Sequence, residues 1–207
     1  MKKIVLASGS PRRKELLKLM GFQFDVKTSN KEEKITTQKP DKAVQELARM
    51  KAADIMGQFQ EPCIVIGADT IVVADGYEIL GKPKDKNHAF EMIKKLQGTD
   101  HKVYTGVAIL EKNMDGRVEE HIFSEKTKVT VVPMSKNEIE KYLQTEVESE
   151  TEGEKKDTIY EWKDKAGGYG IQGIFSKYIS GIEGDYYNVV GLPVCRLYHE
   201  LRKIAGN

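Results

Sequence analysis

The sequence predicts a single α/β domain built on a mixed sheet with helices packed against it. Three observations carry this. Apolar runs of strand length (Ile4–Leu6, Cys63–Ile66, Val103–Leu110) alternate with segments of helical period, hairpins are as evident as crossovers, and no linker separates two cores. At 207 residues a single domain buries roughly 70% of its unfolded surface, enough for a substantial core. The 33 basic and 32 acidic residues leave a formal charge of +1, which argues against a protein that coats nucleic acid. The longest apolar run near the N-terminus is too short for a signal peptide or a membrane span, so a soluble, cytoplasmic protein is expected. Cys63 and Cys195 form no framework with each other or with the four histidines and are expected as reduced core thiols.

Taken in order, Ile4–Leu6 reads as a buried strand, and Ser10 followed by Pro11 reads as the N-cap and first residue of a helix continuing through Leu16, Leu17 and Met20. That helix starts with Arg12 and Arg13, two cations where the macrodipole disfavours them. Either an anion compensates, with Ser8, Ser10 and the helix N–H groups completing a polyphosphate site, or the arginines are solvated or paired with carboxylates such as Glu15. Phe22–Val26 alternates as a short strand. Lys27–Lys39 is a polar loop whose Glu32 and Glu33 are either solvated or available to a divalent ion. From Pro40 a helix places Val44, Leu47, Ala48, Lys51 and Ile55 on one face. Lys51 is the misfit there, either reaching solvent or pointing into a cleft.

Cys63–Ile66 and Ile71–Val73 read as two apolar strands flanking Gly67, Ala68, Asp69 and Thr70, and an embedded Asp69 requires a metal, a basic partner or hydrogen bonds. A turn at Asp75 and Gly76 leads to a returning strand, Glu78–Leu80, and then to Gly81, Lys82 and Pro83. Pro83 after the lysine rules out a Walker phosphate loop. Ala89, Met92, Ile93 and Leu96 mark a helix starting after Asp85 and capped at Gly98. Strands follow at Val103–Leu110, Val118–Phe123 and Thr127–Val132, with a turn over Asn113–Gly116. Ser135 and Glu138 then form a capping box. The acid-rich stretch at about residues 145–158 reads as an exposed, mobile insertion. Lys165–Gly173, KAGGYGIQG, holds a literal GxGxxG at Gly168, Gly170 and Gly173, but it follows no buried strand and opens no helix. It reads as a glycine loop that either approaches a ligand, with Gln172 offering an amide, or simply turns. Tyr178–Ile182 and Tyr186–Val190 read as strands, and Pro193 starts a last helix through Leu197 and Leu201.

Four segments in this order, SGSPRRKELL, GADTIVV with the following GKP, KAGGYGIQG and GDYYNVVGLP, resemble the Maf-like nucleotide pyrophosphatases across nearly the whole chain. The resemblance implies one domain over residues 1–207 with a strongly twisted mixed sheet and two lobes around a cleft, like the inosine-triphosphate pyrophosphatase group. It implies hydrolysis of a nucleoside triphosphate to a monophosphate and pyrophosphate, Mg²⁺ or Mn²⁺ as cofactor, and a homodimer. Matched residue by residue, the family's phosphate turn falls on Ser8, Ser10, Arg12 and Arg13, its acidic loop residue on Glu32, its cleft lysines on Lys51 and Lys82, and its catalytic carboxylate on Asp69. Glu32 and Asp69 are the implied metal ligands. Arg12, Thr70 and Gln172 match the subgroup that resembles dTTP and UTP pyrophosphatases, so the expected partner is a pyrimidine nucleoside triphosphate. A non-catalytic nucleotide-sensing or cell-division role is the alternative the resemblance carries. One departure stands out: the family's short Glu-Pro link before the KAG segment is replaced by the acidic insertion, and Trp162 stands where the proline would be.

Overall fold

A computed structural model describes residues 2–75, 78–148 and 158–204. Its strands are β1 Lys3–Leu6, β2 Asp25–Val26, β3 Cys63–Val73, β4 Ile79–Leu80, β5 Asp100–Lys112, β6 Val118–Val131, β7 Glu146–Glu148, β8 Thr158–Tyr160 and β9 Ile179–Glu183. Its helices are α1 Pro11–Leu19, α2 Pro40–Met56, α3 Lys86–Leu96, α4 Lys136–Tyr142, α5 Tyr186–Val190 and α6 Val194–Ile204. The main sheet runs β2-β1-β3-β5-β6-β9, with β4 added to β3. It is mixed, as expected: β1 pairs parallel with β2 and β3, whereas β3–β4 and β6–β9 are antiparallel. Among the described residues no helix is long and apolar enough to cross a membrane.

The chain divides into two compact units. The first comprises Met1–Thr70, Tyr104–Lys126 and Tyr187–Asn207, and the second Ile71–Val103 and Thr127–Tyr186. In the first unit, β1–α1–β2 is a parallel crossover, and β1 also lies in register with β3 from Lys3↔Cys63 to Leu6↔Ile66. Because β3 continues past the end of β1, the turn at Ala7–Ser10 leaves the sheet beside Gly67–Thr70. That is the carboxyl edge of a parallel pair, where open α/β sheets place their ligands. Helix α2 covers this region with Val44, Leu47, Ala48, Ala52 and Ile55 buried. Gly67 permits the close approach: a Cβ there would lie 2.2 Å from the Ala48 carbonyl oxygen.

In the second unit, the Ser135–Glu138 capping box forms, and Asp85 caps α3 by accepting from the His88 N–H at 2.8 Å. The glycine segment folds as a 3₁₀ turn over Ala166–Gly168 followed by a second one over Ile174–Tyr178. Buried Glu161 accepts hydrogen bonds from the N–H groups of Ile174 (3.0 Å) and Phe175 (3.5 Å) and so caps the second turn. A side chain at position 173 would collide with that carboxylate, its Cβ coming within 2.1 Å of Oε1, which accounts for the third glycine of the GxGxxG pattern without a dinucleotide. Trp162 is buried, stacks on Tyr160 at 5.8 Å and donates its indole N–H to the Leu143 carbonyl at 3.1 Å.

His101 is also buried here. Its Nε2 lies 2.6 Å from the Tyr169 hydroxyl, while its Nδ1 has no hydrogen-bond partner among the described residues. Burial, only weakly opposed by Asp100, lowers the His101 pKa from 6.5 to about 4. Between these pH values the unfolded chain takes up a proton that the native chain refuses. The resulting stability is full above pH 6.5 and is lost as pH falls toward 4, a loss of about 3 kcal/mol. The urea midpoint is expected to fall over this window, and His101→Gln is expected to flatten the profile.

Several expectations are corrected. Gly67–Thr70 do not separate two strands, since β3 is continuous from Cys63 to Val73; Val118–Phe123 and Thr127–Val132 likewise merge into β6. Backbone pairing tolerates the polar residues that broke the apolar pattern. Tyr186–Val190 is a helix, not a strand: the N–H groups of Gly191 and Leu192 both donate to the Tyr187 carbonyl at 3.0 Å, and this local closure overrides the β-propensity of the tyrosines and valines. Ser10 occupies the N-cap of α1, but its side chain makes no capping hydrogen bond. The acidic insertion is not wholly loop, because its ends pair as the antiparallel ribbon β7–β8; residues 149–157 lie outside the described residues. Cys63 is a buried free thiol as expected, whereas Cys195 is exposed.

Candidate active site

The site residues of the first unit gather around Arg13. Its Nε donates to the Gly191 carbonyl at 2.9 Å, Nη1 to Ser8 Oγ at 3.1 Å and to the Ala68 carbonyl at 2.9 Å, and Nη2 to Thr70 Oγ1 at 3.0 Å. Four hydrogen bonds from the five N–H donors of a guanidinium tie α1, the β1 turn, β3 and the segment after α5 together. Desolvation lowers the Arg13 pKa while nearby Asp69 raises it, and an arginine remains protonated throughout the working range. The Arg13 guanidinium, expected at phosphate, is directed here at four oxygens of the protein itself. Buried Ser8 serves the same framework, its Oγ accepting also from the Ser10 N–H at 3.3 Å. Arg12, beside it at the helix start, is partly buried.

Lys51, projecting from α2, does not run out to solvent. Its ammonium hydrogen-bonds the Asp69 carboxylate and lies 2.7 Å from Glu33 Oε1. Lys51 and Asp69 side chains are 17% and 12% exposed, whereas that of Glu33 is 54% exposed. Asp69 therefore has the basic partner its burial demands. Of the paired loop acids, Glu33 reaches Lys51, whereas Glu32, the implied metal ligand, pairs with Lys34 at 3.5 Å and is largely exposed. The loop gave no periodicity from which to choose between adjacent glutamates. Thr70 is bonded on its other side to Thr105 Oγ1 at 2.9 Å, and Thr105 donates to the Asn188 carbonyl at 2.8 Å. Neither Thr105 nor Asn188 was among the expected site residues, because a threonine in a strand and an asparagine after two tyrosines carry no functional signature.

Lys82 and Gln172 belong to the second unit. Lys82 follows β4 and Gln172 lies in the glycine segment, both exposed. A separate carboxylate–imidazole group, Glu111, Glu119 and His121, has ligand atoms within 4.8 Å of one another in the first unit. There Lys2 already holds Glu111 at 2.5 Å, and Asn113 donates to Glu119 at 2.9 Å.

The fold is that of a mixed α/β sheet protein similar to a HAM1 protein from Coxiella burnetii, with a TM-score of 0.52 and 14% identity over 98% of this chain and 100% of that one. The Maf-like protein family model matches residues 3–204, and the chain belongs to that family. It is 47% identical over 205 residues to the dTTP/UTP pyrophosphatase of Lachnoclostridium phytofermentans, covering 99% of this chain and 96% of that protein. It is 44% identical to the dTTP/UTP pyrophosphatase of Agathobacter rectalis, covering 99% and 98%.

Proposed function

We propose that this protein is a nucleoside triphosphate pyrophosphatase that hydrolyses dTTP, UTP and related or modified pyrimidine triphosphates to the monophosphate and pyrophosphate. The observation that carries the reading is the Glu33–Lys51–Asp69 cluster set against the Arg13–Thr70 clamp, in a chain 47% identical to a dTTP/UTP pyrophosphatase. Asp69 is the catalytic carboxylate: it takes a proton from water as the water oxygen bonds to the α-phosphorus and the bond to the α–β bridging oxygen breaks, releasing pyrophosphate. Lys51 orients that carboxylate. Arg12, Ser10 and Lys82 neutralise phosphate charge, and Arg13 and Ser8 hold the turn that presents them. Arg12, Thr70 and Gln172 choose the base.

Two carboxylates drawn to one ammonium form a hard-oxygen donor set that fits Mg²⁺ or Mn²⁺, with Asp69 and Glu33, in place of Glu32, as its ligands. Such an ion, when bound, supplies charge neutralisation at the triphosphate. The family match over residues 3–204 supports reading residues 1–207 as one functional domain. The same reading places the protein in the cytoplasm as a homodimer acting on free nucleotides, not on nucleic acid, in keeping with a formal charge of +1.

Pyrophosphate release measured with dTTP, UTP, CTP, ATP and GTP in the presence of Mg²⁺ or Mn²⁺ tests the proposal, and absence of product from every pyrimidine triphosphate refutes it. Arg12→Ala is expected to lower kcat/KM on dTTP by about 100-fold and to change the ranking of the pyrimidines, since Arg12 serves both phosphate and base choice. A uniform loss across the panel removes Arg12 from base selection.

A further inference from the structure

Thr70 is held from two sides. Arg13 Nη2 donates to its Oγ1 at 3.0 Å, and Thr105 Oγ1 lies 2.9 Å away on the neighbouring strand β5. Thr105 is fully buried and already donates its hydroxyl proton to the Asn188 carbonyl at 2.8 Å. A threonine hydroxyl has one proton and two lone pairs. Thr105 must therefore accept in its contact with Thr70, and Thr70 must donate. The Thr70 proton is turned toward Thr105, and one of its lone pairs is taken by a guanidinium that can only donate. What remains for a ligand is a single lone pair.

We propose that Thr105 is a positioning residue for substrate choice. Through the chain Arg13→Thr70→Thr105→Asn188 it fixes the Thr70 hydroxyl as an acceptor toward the substrate, so that Thr70 selects a base edge carrying an N–H donor. The inference rests on the reading above that Thr70 faces the base. Uracil and thymine carry a proton on ring nitrogen N3, whereas cytosine has a lone pair there. Against the first the fixed acceptor makes a hydrogen bond, and against the second it sets two lone pairs in opposition. A hydroxyl free to rotate accommodates both; a hydroxyl locked by its neighbours discriminates.

The test is kcat/KM for UTP and CTP in the intact protein and in Thr105→Val and Thr105→Ser. Valine keeps the shape but removes the acceptor that holds the Thr70 proton, so the preference for UTP over CTP is expected to fall by about tenfold, the equivalent of one hydrogen bond. Serine restores the acceptor and the preference. A merely structural role for Thr105 lowers both substrates in parallel and leaves their ratio unchanged, which overturns the proposal. Should Thr105→Val fail to fold, the unaltered protein decides: UTP methylated at N3 is expected to be cleaved at least about tenfold less efficiently than UTP, and equal efficiency overturns the proposal. The underlying reading fails separately. If Thr70→Val still releases pyrophosphate from UTP with an unchanged UTP:CTP ratio, Thr70 does not face the base.

Discussion

Asp69→Asn is expected to lower pyrophosphate release from dTTP and UTP by about 10³-fold, within the range that removal of a general base produces, while the protein stays folded. The amide keeps the carboxylate's shape and one oxygen that can still accept from Lys51, so the ion pair of α2 with β3 becomes a hydrogen bond from a charged ammonium to a neutral amide. On the proposed mechanism, what disappears is the group that takes the proton from water and one of the two carboxylates fitted to a divalent ion. Three readings are separable by experiment. If Asp69 acts as base, added Mg²⁺ does not recover the rate of the variant. If it acts chiefly as metal ligand, the variant needs far more Mg²⁺ to reach its residual rate. Turnover close to that of the unaltered protein, with triphosphate still bound, takes Asp69 out of catalysis altogether. Glu33→Gln is the companion variant: it removes the second carboxylate on Lys51, from a side chain that is 54% exposed, and a raised Mg²⁺ requirement is expected there without loss of the proposed base.

How much of this site was legible beforehand depends on how local the signal is. Ser10-Pro11 announces a helix start within two residues, and Asp69 announces itself by lying in an otherwise apolar strand. Both were readable because the anomaly and its context are adjacent in sequence. Lys51 stood out in the same way, as a cation on an apolar helix face, but its partner did not. The choice of Glu33 over Glu32 depends on the path of a polar loop with no repeating pattern, and a shift of one residue there costs nothing in propensity. Thr105 carries no such signal because its contact with Thr70 joins neighbouring strands β3 and β5 across 35 residues of sequence. The limits of two strands differ from the apolar pattern for a related reason. Polar interruptions within β3 and β6 look like strand ends when only the side chains are counted, whereas the ladder that sustains a strand is made by backbone groups. At Tyr186–Val190 the error ran the other way, with β-branched and aromatic residues forming a helical turn that the Gly191 and Leu192 N–H groups close.

The clamp role of Arg13 makes a second prediction of similar weight. Two neighbouring arginines at one helix start invite the same assignment to phosphate, yet their expected losses differ in kind. Arg13→Ala removes four hydrogen bonds at once and leaves the carbonyls of Gly191 and Ala68, and the oxygens of Ser8 and Thr70, to find other partners. Breaking such a network, together with the attraction between Arg13 and Asp69, is expected to destabilise the protein by about 4 kcal/mol, read as a lower midpoint in urea. Arg13→Lys is expected to recover less than half of this, because one ammonium cannot reproduce a planar fork aimed at four acceptors in three segments. In Arg12→Ala the loss is expected to fall chiefly on kcat/KM, with a smaller shift of the urea midpoint than in Arg13→Ala. If the two variants instead lose stability equally, the division of labour between a binding arginine and a clamping arginine is wrong. If Arg13→Ala keeps its stability and loses only affinity for triphosphate, the guanidinium leaves its four partners to meet substrate, and Ser8 and Thr70 are then its resting place and not its function.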